Sequence, residues 1–414
     1  MGGNYGKDLF KQLQETMALV EKLSAKISDL EKENQALKKR IEVLEKENVA
    51  LKAENQKLKE IINKDSGNSS KPPSSDGFKK IHNSREKTGR RTGGQPGHKG
   101  AVPKLFENPT RTVELKPERC QCGGKIRLKG ISAMLTTEGC VSINRTRQMI
   151  SELTGGLINL SEGTIVKWNK QLAERLAPAI KNIKEKLLVS PVLHKDETGI
   201  RVDGTINWFH VLGSKTHTLY HADQKRGNAA DRAMGVLPSY GGVLVHDHLK
   251  GLYDFTCDHA ECNAHILRYL KAAVENRNRI WAEDMIKLLL EAKDGENEAF
   301  RRYDEILERG RREFLKDEAP DYNGEDMKLL RRMKEYKQEH LRFAADKNVP
   351  FDNNQAERDL RMIKAKTKIS GCFRGNDNGD VFAVLKSYTS TLRKNGFNIY
   401  GGIKSAFALS PILC

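Results

Sequence analysis

Leu193-His-Lys-Asp-Glu-Thr-Gly199 and Val243-Leu-Val-His-Asp-His248 decide how this chain is read, because each is an aliphatic run that breaks at an acid. Around them the apolar residues alternate with the period of a strand. The pattern predicts strands at 192–198, 206–212, 218–221 and 242–247, the first three forming an antiparallel meander, with a helix at about 228–237. A third acid, Glu357, opens a helix far downstream in Asn353-Asn-Gln-Ala-Glu-Arg-Asp-Leu-Arg361.

A meander with an acid on its first strand, a helix, and a fourth strand ending in a second acid matches a ribonuclease-H-like α/β core. The residue types suit its chemistry: two hard divalent cations roughly 3.5–4 Å apart need carboxylate oxygens from separate elements. Asp196 is the candidate bridge, with Asp247 and Glu357 as flanking ligands and Mg²⁺ or Mn²⁺ as the two ions. Among competing acids, Asp203 sits in a hairpin-turn signature, Arg201-Val-Asp-Gly-Thr205, and Glu197 alternates to the strand face opposite Asp196. Asp254 and Asp258 read as loop residues. Cys262 and His265 lie one helical turn apart, a spacing read here as packing and hydrogen bonding; a metal role would need two more ligands, such as Cys257 and His259.

Composition agrees with a polyanionic partner. A formal net charge of +17 over 414 residues favours DNA or RNA, since clustered Lys and Arg release condensed counterions on binding. Seven cysteines without a regular framework argue for a reducing cytoplasm, and no apolar run approaches the roughly 18 residues a membrane span requires. The expected location is therefore cytoplasmic, with the nucleoid.

The N-terminal segment has a different period. Leu23, Leu30, Leu37, Leu44, Leu51 and Leu58 recur every seventh residue, and Val20, Ile27, Asn34, Ile41, Asn48, Asn55 and Ile62 fill the companion heptad position. In a parallel homodimer the pairs Lys26–Glu31, Glu33–Lys38, Arg40–Glu45, Glu47–Lys52 and Glu54–Lys59 are all of opposite sign, and the asparagines pair only in register. This predicts a parallel coiled-coil homodimer over 1–63. A basic-zipper regulator is excluded, because residues 1–19 hold no dense basic run.

From 64 to 115 the chain is rich in Ser, Gly, Pro, Lys and Arg and reads as a flexible basic arm in which Lys79, Lys80, Arg85, Lys87, Arg90 and Arg91 follow phosphates. Residues 116–142 contain Cys120 and Cys122 and the start of a helical region. A closed tetrahedral zinc site needs four ligands and no second cysteine pair follows, so this reads as a zinc-finger remnant. Residues 143–188 are helical with a Gly155-Gly156 break and a Ser161 cap. They fit either a helix-turn-helix whose second helix offers Thr164, Lys167, Trp168 and Lys170 to DNA, or an ordinary packing domain. The core is expected over 189–275 and 348–395, split by a charged helical insertion at 276–347, with a C-terminal tail at 396–414. Past Glu357, Arg358, Arg361, Lys364 and Lys366 are placed for phosphate contacts.

Residues 66–408 resemble the transposases of the insertion sequence 66 family, a DDE group. The likeness lies in Asn68-Ser-Ser-Lys-Pro-Pro-Ser-Ser-Asp-Gly77, Gly93-Gly-Gln-Pro-Gly-His-Lys-Gly100, Asp196-Glu-Thr-Gly199, Val245-His-Asp247, Cys262-Asn-Ala-His-Ile-Leu-Arg268 and Asn353-Asn-Gln-Ala-Glu-Arg358. It implies metal-dependent strand cleavage and strand transfer of an insertion sequence, with Asp196, Asp247 and Glu357 as the acids; helper proteins are left open. One departure is the passage from Cys122-Gly-Gly-Lys-Ile126 directly into Arg127-Leu-Lys-Gly130, where the family carries a complete cysteine-rich finger. That departure keeps open an alternative, a catalytically inactive relative that represses transposition by occupying DNA.

Overall fold

The computed structural model describes residues 3–69, 123–294, 299–317, 321–322 and 324–414. Lys79, Lys80, Arg85, Lys87, Arg90, Arg91, Cys120 and Cys122 lie outside the described residues.

Five strands form one mixed sheet: β1 (Val192–Val202), β2 (Thr205–Gly213), β3 (Thr218–Asp223), β4 (Val243–His246) and β5 (Asp258–Glu261), in the order β3-β2-β1-β4-β5. β1, β2 and β3 pair antiparallel, whereas β4 and β5 run parallel to β1. The first hairpin turns in two residues. Asp203 and Gly204 adopt φ of 47° and 82°, the left-handed conformation that such a turn needs, and the Asp203 carboxylate accepts from Gly375 N at 2.9 Å. The meander was legible from alternation. β5 was not: Asp258, expected in a loop, begins a strand, because the segment is only four residues long and carries Asp, His and Glu.

Period-two alternation sends His194, Asp196, Thr198, Ile200 and Val202 to one face of β1, and Leu193, Lys195 and Glu197 to the other. On the first face Ile200, Val202, Phe209, Val211 and Tyr220 pack under α12 (Asn354–Ser370) and α13 (Asn376–Lys394). On the second, Leu193, Leu212 and Leu244 pack against α5 (Ala177–Leu188) and the short segment from Met234 to Tyr240, just past α6 (Asn228–Ala233). Between α6 and β4 the chain makes one 3-10 turn, Leu237–Ser239.

Before the sheet come α2 (Gly123–Thr137), α3 (Ile143–Leu153) and α4 (Glu162–Arg175), which join α5, α13 and α14 (Ile399–Phe407) around a core of Trp168, Leu172, Leu385, Tyr388 and Phe407. Ser161 caps α4 by accepting from Thr164 N, as its sequence signature predicts. Trp168 is a correction. Offered above to DNA, it is 7 % exposed and belongs to this core. Helical periodicity cannot tell which apolar face meets protein and which meets a ligand.

After β5, α7 (Asn263–Arg277) leads into α8 (Ile280–Asp294), α9 (Ala299–Phe314), α10 (Glu325–Glu335) and α11 (Lys337–Ala345). These four helices lie within residues 280–345. They enclose a core of their own around Trp281, Tyr303, Met333 and Leu341, continuous with Val245 and Ala260 of the sheet. A two-acid clamp fixes their entry: Asp326 accepts from Arg277 and Arg279, and Asp317 from Arg279.

The N-terminal α1 (Gly3–Ile62) is a single helix of 60 residues. Its last turns dock on the end of α7, where Glu60 pairs with Arg277 at 2.7 Å and Gln56 Nε2 donates to the Asn276 carbonyl at 2.5 Å. The following turn adds Asn68, which donates to Glu275 at 2.9 Å. No helix among the described residues is long and apolar enough to cross a membrane.

Gly310 of α9 lets the Trp281 ring lie against its backbone; a β-carbon there would meet the indole at 2.8 Å and Leu330 at 2.9 Å. Gly310→Ala is expected to lower stability by about 1–3 kcal/mol through overpacking, offset by a few tenths from helix propensity. The midpoint of thermal unfolding monitored by circular dichroism should fall accordingly.

Candidate active site

The strand register brings the first two acids side by side. Lys195 of β1 pairs with His246 of β4 in the parallel ladder, so one residue further Asp196 lies next to Asp247. Parallel neighbours in register point to the same face, here the face beneath α12. Glu357 stands in the first turn of α12, where the helix dipole favours an acid. All three are partly buried.

Their mutual influence is legible in Asp196. Burial, then the charge of Asp247, with a further contribution from Glu357, push its carboxyl from 3.8 to about 7. The Glu197 backbone N–H, donating to Oδ1 at 2.7 Å, and the nearby Lys195 ammonium work the other way without cancelling this. A carboxyl whose ionisation is opposed first by burial and then by like charges is in the electrostatic condition that a bound cation relieves. The three acids therefore fit divalent ions by donor type, by origin on separate elements, and by the repulsion they carry.

Asp247 is oriented from α7. Its Oδ1 lies 3.0 Å from His265 Nδ1, an ion pair. Burial opposes the positive charge on His265, but the Asp247 carboxylate, with Cys262, raises it to about 10. Among the described residues, the three possible metal ligands whose donor atoms lie within 4.8 Å of one another are Asp247, Cys262 and His265, a group that shares only Asp247 with the three acids. Cys257 and His259, the extra ligands weighed from sequence, are not in that set; His259 instead bonds His246 at 3.1 Å.

Two polar clusters flank the acids, and sequence reading missed both. On the opposite sheet face Lys195, 1 % exposed, pairs with Asp231 of α6 at 3.0 Å and lies 3.2 Å from His210 Nδ1. Glu197 joins this cluster and reaches Arg226, whose guanidinium stacks over Trp208 at 4.7 Å. Although burial works against it, His210 and Lys195 keep Asp231 below its usual range. Lysine and histidine at strand positions of inward parity were the available signal.

Toward the insertion, buried Glu261 of β5 accepts from His248 at 2.5 Å, Tyr253 at 2.7 Å, Arg332 at 2.5 Å and His340 at 3.1 Å. Burial opposes its charge, yet these donors hold its carboxyl far below the usual carboxylate range. Arg332 comes from α10 and His340 from α11, so this one carboxylate ties the insertion to the residue after Asp247.

The basic residues divide. Arg358, Arg361 and Lys364 are exposed along α12, beside Glu357. Lys366 is a correction: it is 7 % exposed and donates to the carbonyls of Val141 at 2.9 Å and Thr136 at 3.2 Å, because its turn of α12 faces α2 and α3 rather than solvent. Lys167 is exposed on α4, and Lys170 pairs with Asp377 at 3.1 Å.

The five-stranded mixed sheet thus carries Asp196 and Asp247 beneath α12, whose exposed side presents Arg358, Arg361 and Lys364. The family described as Transposase IS66 family matches residues 133–380, and the chain belongs to it. Membership implies a DNA-cleaving enzyme of transposition, in a family that is typically metal-dependent. A family of unknown function (DUF6444) matches residues 9–104, and no curated protein matches the chain.

The raised Asp196 carboxyl gives stability a sign. Between the unfolded value and about 7 the folded chain holds a proton that the unfolded chain has released, so metal-free stability falls as pH rises through this window and levels above it. Asp196→Asn should therefore raise the thermal midpoint of the metal-free protein at about pH 8, by roughly 2–4 °C for each kcal/mol relieved, and the gain should vanish toward about pH 4. Differential scanning calorimetry in chelator measures it, and added Mn²⁺ should stabilise the wild type more at the higher pH.

Proposed function

We propose that this chain is a DDE transposase that cleaves the phosphodiester at the ends of an insertion sequence and joins the freed end to target DNA. The observation that carries the reading is the convergence of Asp196, Asp247 and Glu357 on one face of the sheet, expressed in the raised carboxyl of Asp196. The strand order β3-β2-β1-β4-β5, with its first three strands antiparallel and the rest parallel, supports a ribonuclease-H-like core. In this reading 189–275 and 348–395 form the core and 276–347 its insertion.

Asp196, Asp247 and Glu357 would together hold the ions, Asp196 being the acid that lies between the charges of the other two. Bound Mg²⁺ or Mn²⁺ would supply activation of the attacking oxygen and stabilisation of the leaving oxygen. The protein's own residues do the rest. His265 holds the Asp247 carboxylate by an ion pair, and Arg358, Arg361 and Lys364 offer cations to the phosphates beside Glu357. In cleavage, water attacks phosphorus and the 3′-oxygen leaves; in joining, that 3′-hydroxyl attacks a target phosphodiester, the target's own 3′-oxygen leaves, and the freed end becomes linked to the target's 5′-phosphate. Each step exchanges one P–O bond for another and needs no external energy source.

The same reading gives α1 a partner. Leu23, Leu30, Leu37, Leu44, Leu51 and Leu58 form a stripe along the helix, each about half exposed in the single chain. The five complementary charge pairs favour a second copy of this chain, parallel and in register. Lys167 and the basic arm extend the proposed DNA surface.

The test is strand transfer on labelled element ends with Mg²⁺ or Mn²⁺. Asp196→Ala, Asp247→Ala and Glu357→Gln should each reduce it by more than about 10³-fold, beyond the 10–100-fold loss typical of a supporting residue. Binding that weakens with salt, without cleavage on any element end, would instead identify a DNA-binding repressor. Separately, Leu37→Glu with Leu44→Glu should convert the dimer to a monomer by light scattering.

A further inference from the structure

We infer that Asn353 is a positioning residue that sets the three acids relative to one another, an inference that rests on the reading of those acids as the active site. Asn353 has no exposed surface and stands at the N-terminal boundary of α12, four residues before Glu357. Asparagine at such a boundary ordinarily caps its own helix by accepting from an amide two or three residues on. Here it makes no side-chain cap bond. Its amide is turned away, to β1.

Four connections leave this residue, the first three leading one toward each acid. Nδ2 donates to the Lys195 carbonyl at 2.8 Å, the carbonyl of the peptide unit that leads into Asp196. The backbone carbonyl accepts from Glu357 N at 3.3 Å, closing the first turn that carries the third acid. The backbone N–H donates to Cys262 Sγ at 3.2 Å; Cys262 begins α7, and one turn later His265 holds Asp247. Oδ1 completes the set by accepting from His194 Nδ1 at 3.0 Å, in the tautomer that places the proton there. His194 is the neighbour of Asp196 on the same strand face.

The geometry explains why asparagine is needed. A donor must face a strand carbonyl and an acceptor must face an imidazole, from one planar group, at a site closed to water that might substitute. A second link, Asn263 N to the Phe351 carbonyl at 3.1 Å, holds α7 against the approach to α12 whatever stands at 353. Loss of the Asn353 amide should therefore loosen the acids without detaching the helices.

The experiment uses the full chain with Asn353→Ala and the isosteric Asn353→Asp, which keeps an acceptor but loses the donor to Lys195. Asn354→Ala, at the exposed neighbour, is the control. Single-turnover cleavage at saturating Mn²⁺ should fall by about 100-fold, the cost typical of a misplacement near 1 Å. The Mn²⁺ concentration for half-maximal rate should rise about tenfold, as for a group supporting a metal ligand. In metal-free protein, hydrogen exchange should accelerate in the first turn of α12 and stay unchanged in α13, a readout independent of catalysis. The control should match the wild type. If the loss only tracks the folded fraction, with wild-type metal dependence and exchange, the inference is overturned; should the alanine variant fail to fold, the aspartate variant decides by the same readouts. Full activity of Glu357→Gln would overturn the active-site reading instead, and the exchange measurement would still judge Asn353.

Discussion

Carboxylates repel, and this protein holds two of them on adjacent strands of one sheet with a third on a helix above. Nothing local favours that arrangement. Its cost is visible in Asp196, whose carboxyl sits near 7 rather than 3.8 because burial and the Asp247 and Glu357 charges oppose ionisation. Much of the surrounding construction can be understood as the means of keeping these groups together against their repulsion. Parallel pairing of β1 with β4 sets the spacing of the aspartates, and apolar packing of α12 on Ile200, Val211 and Tyr220 brings up the glutamate.

Around the acids the interior is polar in a controlled way. Lys195 lies under Asp196, on the far side of the strand, where Asp231 and Glu197 compensate its charge and His210 lies beside it. Such a buried network adds little net stability over an apolar core, but removing one member leaves a charge unpaired. Glu261 plays the matching part toward the insertion. Four donors from the loop after Asp247 and from α10 and α11 meet on one carboxylate, so the insertion cannot shift without disturbing the segment beside the second acid. The docking of α1 on Arg277, itself joined to Asp326, continues this chain of contacts from the insertion to the N-terminal helix.

Different parts of the chain were legible to different degrees, for physical reasons. The meander announced itself because its strands are rich in β-branched and aromatic residues and its first turn carries Asp203-Gly204, which adopt positive φ. The long helix was plain from its heptads. β5 escaped because four residues with three polar side chains have no hydrophobic period, and Trp168 and Lys366 were assigned to a DNA surface because helix spacing does not reveal which side a neighbouring helix will cover. Asn353 could be seen as part of a recurring block, but its isolated letter says nothing about which carbonyl it will meet.

By itself the sequence determined the periodicities, and with them the meander, the heptad helix, the placement of acids in or just after strand-like runs and the basic character of the whole; that β1 runs on past Asp196 to Val202 was not among them. These are properties of neighbours along the chain, governed by local geometry and by the alternation of buried and exposed positions. Only the tertiary structure decided which residues meet across 159 positions, as His194 and Asn353 do, or 71, as Glu261 and Arg332 do. Long-range pairs of this kind depend on register and helix packing, which minimise unsatisfied buried polar groups over the entire fold, and no window of sequence contains that constraint.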